Sequence, residues 1–440
     1  MYYFIATYGC QMNVHESEKI AGVLEELGYC ACTRAIDADI VVFNTCAIRE
    51  SAETKILGNI GALKPIKAIK KDLIIVLCGC MTQQEGMSAS IHKKFPFVDI
   101  IIGTHNLASL KDFIIQRQNE KKFITETLNS CDIAGRDNMK VTRTSGYNAW
   151  VNIMYGCNNF CSYCIVPYVR GREVSRPIDD IINEIKDLLK QGYCQITLLG
   201  QNVNSYGNDL GGLVNFAMLL RKIDEISGKF RIRFMTSHPK DLSSEVIDVI
   251  ASSSKICHYI HLPVQSGSNK ILELMNRKYT REKYLKTITE IKSKIPDVQF
   301  SSDIIVGFPT ETEEDFNDTL RLIEEVKYEQ LFVFMYSKRK GTIAEKMDGQ
   351  VELAEKKRRI SVLLEKQNQI ATGISESYIG TILEVLVDDV SPKNDKILLG
   401  STFAGKTISF YGDKRLVGKF IYVKIIKAKH TTLFGEIVEE

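Results

Sequence analysis

No stretch of the chain approaches the roughly 18 consecutive apolar residues that a membrane-spanning helix requires. The opening segment, Met1 to Gly9, lacks the charged flank and small-residue cleavage site of a secretory signal and reads as a first β-strand. These absences lead to the expectation of a cytoplasmic protein with no membrane partner. Charge of one sign is also scarce, with 57 Lys and Arg against 54 Asp and Glu for a net +3. Such a balance neither demands nor excludes nucleic acid, because a phosphate-binding face needs only a local basic cluster. A disulfide framework is excluded on other grounds. Such frameworks staple small exported domains, whereas 440 residues with 44% hydrophobic content can pack their own cores. The 12 cysteines therefore point to metal or redox chemistry.

One cysteine array is conspicuous for the ligand it lacks. Cys157, Cys161 and Cys164 form C-x3-C-x2-C just after an apolar run. A structural zinc site needs four protein ligands, and four thiolates close an electron-transfer cubane. Three thiolates on a four-iron cluster would instead leave one iron open to bind and activate a small molecule.

A second pattern is spread over the first 110 residues. The strand-like runs Phe4 to Gly9, Ile40 to Thr45 and Leu73 to Gly79 end respectively on Cys10, Cys46 and Cys80. Between them, Glu16 to Leu27 and Ser51 to Leu63 carry apolar residues at helical spacing, and a fourth strand, Val98 to Ile102, follows without a cysteine. Strand and helix in alternation imply a parallel sheet. In such sheets ligands gather beyond the carboxyl ends of the strands, so these three cysteines can converge on one site. Cys78 lies within an apolar run and reads as core, and Cys30, Cys32, Cys131, Cys194 and Cys257 read as structural.

Residues 116 to 147 are polar and turn-rich, which marks a connector. Beyond them the alternation resumes, with strands near 149 to 155, 195 to 199, 231 to 236, 258 to 262, 299 to 306 and 331 to 336. Six β/α units predict a partial barrel with its site at the carboxyl ends of the strands. After Ser375 short alternating strands predict a small β-barrel. The segment from Glu376 to Glu440 holds nine Lys plus Arg and nine Asp plus Glu, so it has no net charge of its own. Of three basic runs, Lys64 to Lys71, Lys338 to Lys340 and Lys356 to Arg359, the second is favoured to meet phosphate because it follows a barrel strand on the site's side.

The C-x3-C-x2-C array, with Tyr163 before its last cysteine, resembles the signature of the radical S-adenosylmethionine superfamily. Gly9-Cys10-Gln11-Met12-Asn13, the run from Asn44 to Glu50, Gly79-Cys80-Met81 and Gly156 to Arg176 resemble its methylthiotransferase family almost end to end. The N-terminal motifs are most similar to the branch that makes 2-methylthio-N6-isopentenyladenosine in tRNA. Branches acting on threonylcarbamoyladenosine or on an aspartate of a ribosomal protein stand as alternatives. Thr82-Gln83-Gln84 departs from the family's usual run there and touches no cluster ligand.

The resemblance implies an α/β chain in four parts. These are a methylthiotransferase domain (1–118), a linker (119–147), a radical S-adenosylmethionine core (148–375) and a TRAM-like RNA-binding barrel (376–440). It implies two [4Fe-4S] clusters, one on Cys157, Cys161 and Cys164 that cleaves S-adenosylmethionine, and one on Cys10, Cys46 and Cys80 that carries the sulfur. Tyr163, Gln201, Gln265 and Asp303 are the expected cofactor contacts along the barrel rim. No further catalytic side chain is expected, since no side-chain base could usefully deprotonate C2 of an adenine and the hard chemistry belongs to the cofactors. The expected partners are a tRNA anticodon loop, whose adenine 37 can be splayed out at little cost, an electron donor and proteins supplying sulfur and clusters. The chain is expected to act as a monomer.

Overall fold

The computed structural model describes residues 1–47, 50–128 and 133–438; Ile48 and Arg49 of the second cysteine motif, and Cys131, lie outside these. Two compact units emerge. The first comprises residues 1–144, 155–160 and 164–174, and the second comprises 145–154, 161–163 and 175–440.

In the first unit six parallel strands run in the order Cys30–Ala31, Tyr2–Thr7, Ile40–Thr45, Ile74–Gly79, Ile100–Ile102 and Ile124–Glu126. The central strands, from Ile40–Thr45 to Ile100–Ile102, are buried throughout because both sheet faces are covered there. Val42, Val76 and Ile100 pack with Ile20, Leu24 and Ile114 on one side. Their neighbours Val41, Ile75 and Ile101 pack with Ile56, Ile60 and Ile91 on the other. The polar stretch read as a connector takes part in this unit. It supplies the edge strand Ile124–Glu126, and its later residues lie against the first helix, Gln11–Glu26, where the Thr142 amide donates to Glu18 O at 3.0 Å. Gly22 of that helix is glycine for a steric reason: a Cβ there would collide with the Lys140 carbonyl.

In the second unit six parallel strands, Asn148–Asn152, Gln195–Leu199, Arg231–Phe234, Tyr259–His261, Gln299–Val306 and Gln330–Met335, follow one another in chain order. They form two three-stranded sheets, and a parallel bridge between Ile232 and Ile256 lies between the two. Helices pack on the outside around Ile185, Leu219, Ile250, Ile291 and Leu322. Three of these helices, and the short helix Asn269–Leu274, start at a Ser or Thr whose hydroxyl accepts the amide three residues on, namely Ser243, Thr280, Thr312 and Ser268. The six-strand partial barrel expected from the sequence is thus present.

A 24-residue helix, Leu353–Glu376, leads to a closed barrel in the order Ile382–Ser391, Asn394–Thr402, Thr407–Tyr411, Thr432–Ile437, Phe420–Lys429. Thr432–Ile437 is a strand beyond the four that alternation in the sequence marks, at 378–387, 396–399, 406–410 and 420–427. This barrel sits on the amino ends of the larger barrel's strands, away from the carboxyl-end rim. Arg231 Nη1 donates to Ser401 O at 2.7 Å, Lys406 Nζ reaches Glu329 at 2.6 Å, and Gln299 Nε2 donates to Tyr378 Oη at 3.2 Å.

Candidate functional site

The strand order places the first cysteine set. The chain leaves Tyr2–Thr7 for Cys30–Ala31 on one flank and returns to Ile40–Thr45 on the other. Such a reversal opens a crevice at the carboxyl ends of the two diverging strands. Cys10 and Cys46 follow those two strands, and Cys80 follows the adjacent one. Glycines at Gly9 (φ +112) and Gly79 (φ +102) turn the chain just before Cys10 and Cys80. A side chain on either would force its neighbour to move: a Cβ on Gly9 would stand 2.9 Å from Cys46 Cβ, and one on Gly79 would stand 2.5 Å from Thr45 O.

Asn13 stitches the corner together. Its Nδ2 donates to Tyr8 O at 2.7 Å and Thr45 O at 3.0 Å, fixing the approaches to Cys10 and Cys46. Cys46 and Cys80 are buried, and Cys10 is half-buried. Burial pushes the Cys80 thiol up to about 12, against the pull of Arg170 and with the Cys46 and Cys10 thiols as further neighbours. The structure therefore brings the three predicted cysteines together. Cys78 points away into the core, as expected, and burial raises its thiol as well.

Sequence reasoning missed the charges behind this corner. Arg170, at the end of the short helix Val166–Arg170, donates from Nη1 to Glu16 Oε1 at 2.8 Å and from Nη2 to Asn13 Oδ1 at 2.8 Å. Arg136 shares Glu16 at 2.5 Å. His105 nearby is lowered to about 4, by burial and then by Arg136 and Arg170, and is neutral at physiological pH. The only sequence signal for Arg170 is its place six residues after Cys164.

In the C-x3-C-x2-C loop, the first-unit part contains Cys157, whose amide donates to Gly171 O at 3.1 Å, and Cys164; both cysteines are half-buried. In the second unit Cys161 is 8% exposed. Arg277 Nη1 lies 3.4 Å from its sulfur, while Nη2 holds Pro263 O at 2.7 Å and Nε holds Tyr279 Oη at 3.0 Å. The Ser162 hydroxyl donates to Leu274 O at 2.7 Å. Arg277 also went unread, because its tie to Cys161 spans 116 residues.

The expected cofactor contacts occupy different depths of the second unit. Tyr163 packs beside Ile271, Met275, Phe308 and Tyr336 and accepts from Arg277 at 3.5 Å. Gln201 is half-buried in the loop after Gln195–Leu199. Gln265 is buried, with left-handed backbone (φ +75) held by Gln265 N to Asp303 O and Ile305 N to Gln265 O at 2.9 and 3.0 Å. Asp303 lies within strand Gln299–Val306, deeper than the rim, with Oδ2 3.7 Å from His261 Nε2.

Two of the basic runs turn out to brace the fold. Lys67 pairs with Asp99 at 2.8 Å, at the amino ends of the first unit's strands. Arg359 is buried against Glu311 at 2.6 Å, and Arg358 pairs with Glu355 at 2.7 Å. Lys338 and Lys340 are exposed in the loop following Gln330–Met335.

The donor chemistry suits an iron-sulfur cluster. Among the described residues no three His, Cys, Asp or Glu side chains converge on a single metal ion, whereas cluster thiolates each bind a separate iron. A buried thiol such as Cys80 loses its proton when a metal takes it as ligand.

Comparison with known proteins agrees with this chemistry. Residues 151–323 match the Radical SAM superfamily, residues 2–103 the Uncharacterized protein family UPF0004, and residues 376–438 the TRAM domain. The tRNA-2-methylthio-N(6)-dimethylallyladenosine synthase of Acetivibrio thermocellus is 49% identical over 99% of this chain and 91% of its own. That of Clostridium botulinum strain Langeland is 51% identical over 99% and 96%. The chain belongs to this family of radical S-adenosylmethionine methylthiotransferases. Membership implies a [4Fe-4S] cluster and S-adenosylmethionine as cofactors. Among solved structures, the radical S-adenosylmethionine methyltransferase TsrM from Kitasatospora setae shares the fold, with a TM-score of 0.58 at 13% identity over 78% of this chain and 73% of its own. Among the described residues no helix is long and apolar enough to cross a membrane.

Proposed function

We propose that this chain methylthiolates C2 of N6-isopentenyladenosine, also called dimethylallyladenosine, at position 37 of tRNA, as a cytoplasmic monomer. The observation that carries the reading is identity of about half along nearly the whole chain with relatives named for that product. Cys157, Cys161 and Cys164 hold the cluster that engages S-adenosylmethionine, and Cys10, Cys46 and Cys80 hold a second one. When bound, these groups supply radical cleavage of the target C–H bond and the methylthio group that replaces the hydrogen.

The protein's own work is positioning. Arg277 fixes the sulfur of Cys161 against the ends of the barrel strands. Tyr163 and Gln201 would hold the adenine and methionine ends of the cofactor, with Gln265 and Asp303 further along the barrel. Asn13 and the glycines before Cys10 and Cys80 hold the first cysteine set in its crevice. Cys10, Cys157 and Cys164 are half-buried. RNA is recognised in part through the TRAM barrel, and an external electron donor and sulfur supply complete the system.

The test is nucleoside analysis of tRNA from cells lacking the gene. Accumulated N6-isopentenyladenosine with its 2-methylthio form absent supports the reading. Unchanged 2-methylthio-N6-isopentenyladenosine, with loss of the threonylcarbamoyl counterpart or of a ribosomal-protein methylthio-aspartate, would move the chain to another branch.

A further inference from the structure

Arg170 lies outside both cysteine sets, yet it is a buried cation at the corner of Cys10, Cys46 and Cys80. Its residue is 6% exposed, and its guanidinium makes three bonds to Glu16 and Asn13, at 2.8, 2.8 and 3.2 Å. Both partners are themselves fixed. Asn13 is tied to the backbone before Cys10 and Cys46, and Glu16 divides its carboxylate between Arg170 and Arg136. The Cys80 and Cys10 thiols and the neutral His105 are further neighbours of Arg170.

The helix that delivers Arg170 is anchored at the same place. Ile165 and Val169 pack directly with Ala47 and Cys80, and Thr104 Oγ1 donates to Val169 O at 2.6 Å. Burying a guanidinium costs several kcal/mol, and a carboxylate shared with a second guanidinium is only a partial return. The placement has a physical use if an anion occupies the corner.

We propose that Arg170 is a positioning residue that sets the redox poise of a second iron-sulfur cluster, its fixed charge standing against the Cys10 and Cys80 thiolates. This rests on the reading that Cys10, Cys46 and Cys80 hold such a cluster. Three thiolates outweigh the two positive charges of an oxidised four-iron core by one, and uptake of one electron adds a second negative charge. A fixed cation therefore stabilises the reduced form more than the oxidised form, and burial strengthens the effect. Arginine is suited to this because it stays charged throughout.

The test uses the full chain with Cys157, Cys161 and Cys164 replaced by Ala, loaded anaerobically with iron and sulfide and titrated with dithionite under EPR. The parent is expected to hold about four irons. Arg170→Gln is expected to move the midpoint to more negative potential and Arg170→Lys to move it less. Glu16→Gln removes the opposing carboxylate and is expected to move it the other way, and a purely structural role predicts no such pair of opposite shifts. An Arg170→Gln protein with its iron retained and the parent's midpoint overturns the proposal. If that variant holds no iron, Glu16→Gln decides, and a midpoint unchanged or more negative overturns it. A parent that binds no cluster instead removes the underlying reading.

Discussion

Replacing Gly9 by Ala should disable the first cysteine set while leaving the other intact, and its cost can be worked from the backbone. At φ +112 a residue with a Cβ sits in a region open essentially only to glycine, at about 1–3 kcal/mol. The added methyl would also lie 2.9 Å from Cys46 Cβ and 3.0 Å from Cys46 Sγ. Carbon atoms pack at about 3.5–4.0 Å, so Cys46 must retreat by roughly half an ångström or more, and overpacking of this kind costs about 1–3 kcal/mol. The total of about 2–6 kcal/mol falls on the geometry of one ligand. Gly28→Ala is the matched control, since Gly28 also has positive φ (+82) but nothing within 4 Å of its would-be Cβ; it should lose only about 1–2 kcal/mol. After anaerobic reconstitution, Gly9→Ala is expected to hold about four irons and still cleave S-adenosylmethionine without methylthiolating tRNA, while Gly28→Ala holds about eight. A Gly9→Ala protein with full iron and full methylthiolation would refute the crowding argument.

Other perturbations test other parts of the chain. Lys406, fully buried with Nζ 2.6 Å from Glu329 and 2.8 Å from Ser375 Oγ, anchors the C-terminal barrel; Lys406→Met should cost about 3–5 kcal/mol in urea unfolding. Pairing it with Glu329→Leu should recover most of that loss, and a double variant no better than the single would sink the account. Burial would raise the Glu16 carboxyl, but Arg170 and Arg136 override it and hold it at about 2 instead of 4.5. Its stabilisation is thus present above pH 4.5 and lost as pH falls toward 2, on the order of 3 kcal/mol. The gap in urea stability between wild type and Glu16→Gln should narrow between those pH values, and a pH-independent gap contradicts the linkage. Replacing Lys338, Arg339 and Lys340 by Gln should weaken tRNA binding and flatten its log–log salt dependence by about 2, whereas an unchanged slope assigns the run to a solvated face.

What the sequence made legible follows from how local each signal is. The three strand-end cysteines could be read because short, β-branched apolar runs each stop at or just before a cysteine and alternate with helical spacing. Their convergence at a switch point depends on Cys30–Ala31, a two-residue strand too short for any pattern. Ile124–Glu126 was hidden because an edge strand keeps polar residues, and both Ile124 and Glu126 are at least partly exposed. In the C-terminal barrel Gly435 interrupts the alternation of Thr432–Ile437, so that strand was missed although Leu433 is core. Arg170 and Arg277 reach the cysteine sets through partners distant in the chain: Glu16 lies 154 residues from Arg170, and Cys161 lies 116 from Arg277. No local pattern announces such a contact. The basic run Lys64 to Lys71 showed the converse, since a sequence of lysines does not reveal that Lys67 is committed to Asp99.

The central claim is that the chain carries two incomplete cysteine sets, each holding its own four-iron cluster. Iron and sulfide content of anaerobically reconstituted protein, with Mössbauer spectra, tests it most directly. About eight irons are expected in the wild type, and about four when either Cys10, Cys46 and Cys80 or Cys157, Cys161 and Cys164 are replaced by Ala. A wild type with about four irons, all lost when Cys157, Cys161 and Cys164 are replaced and none when the other set is, would contradict it.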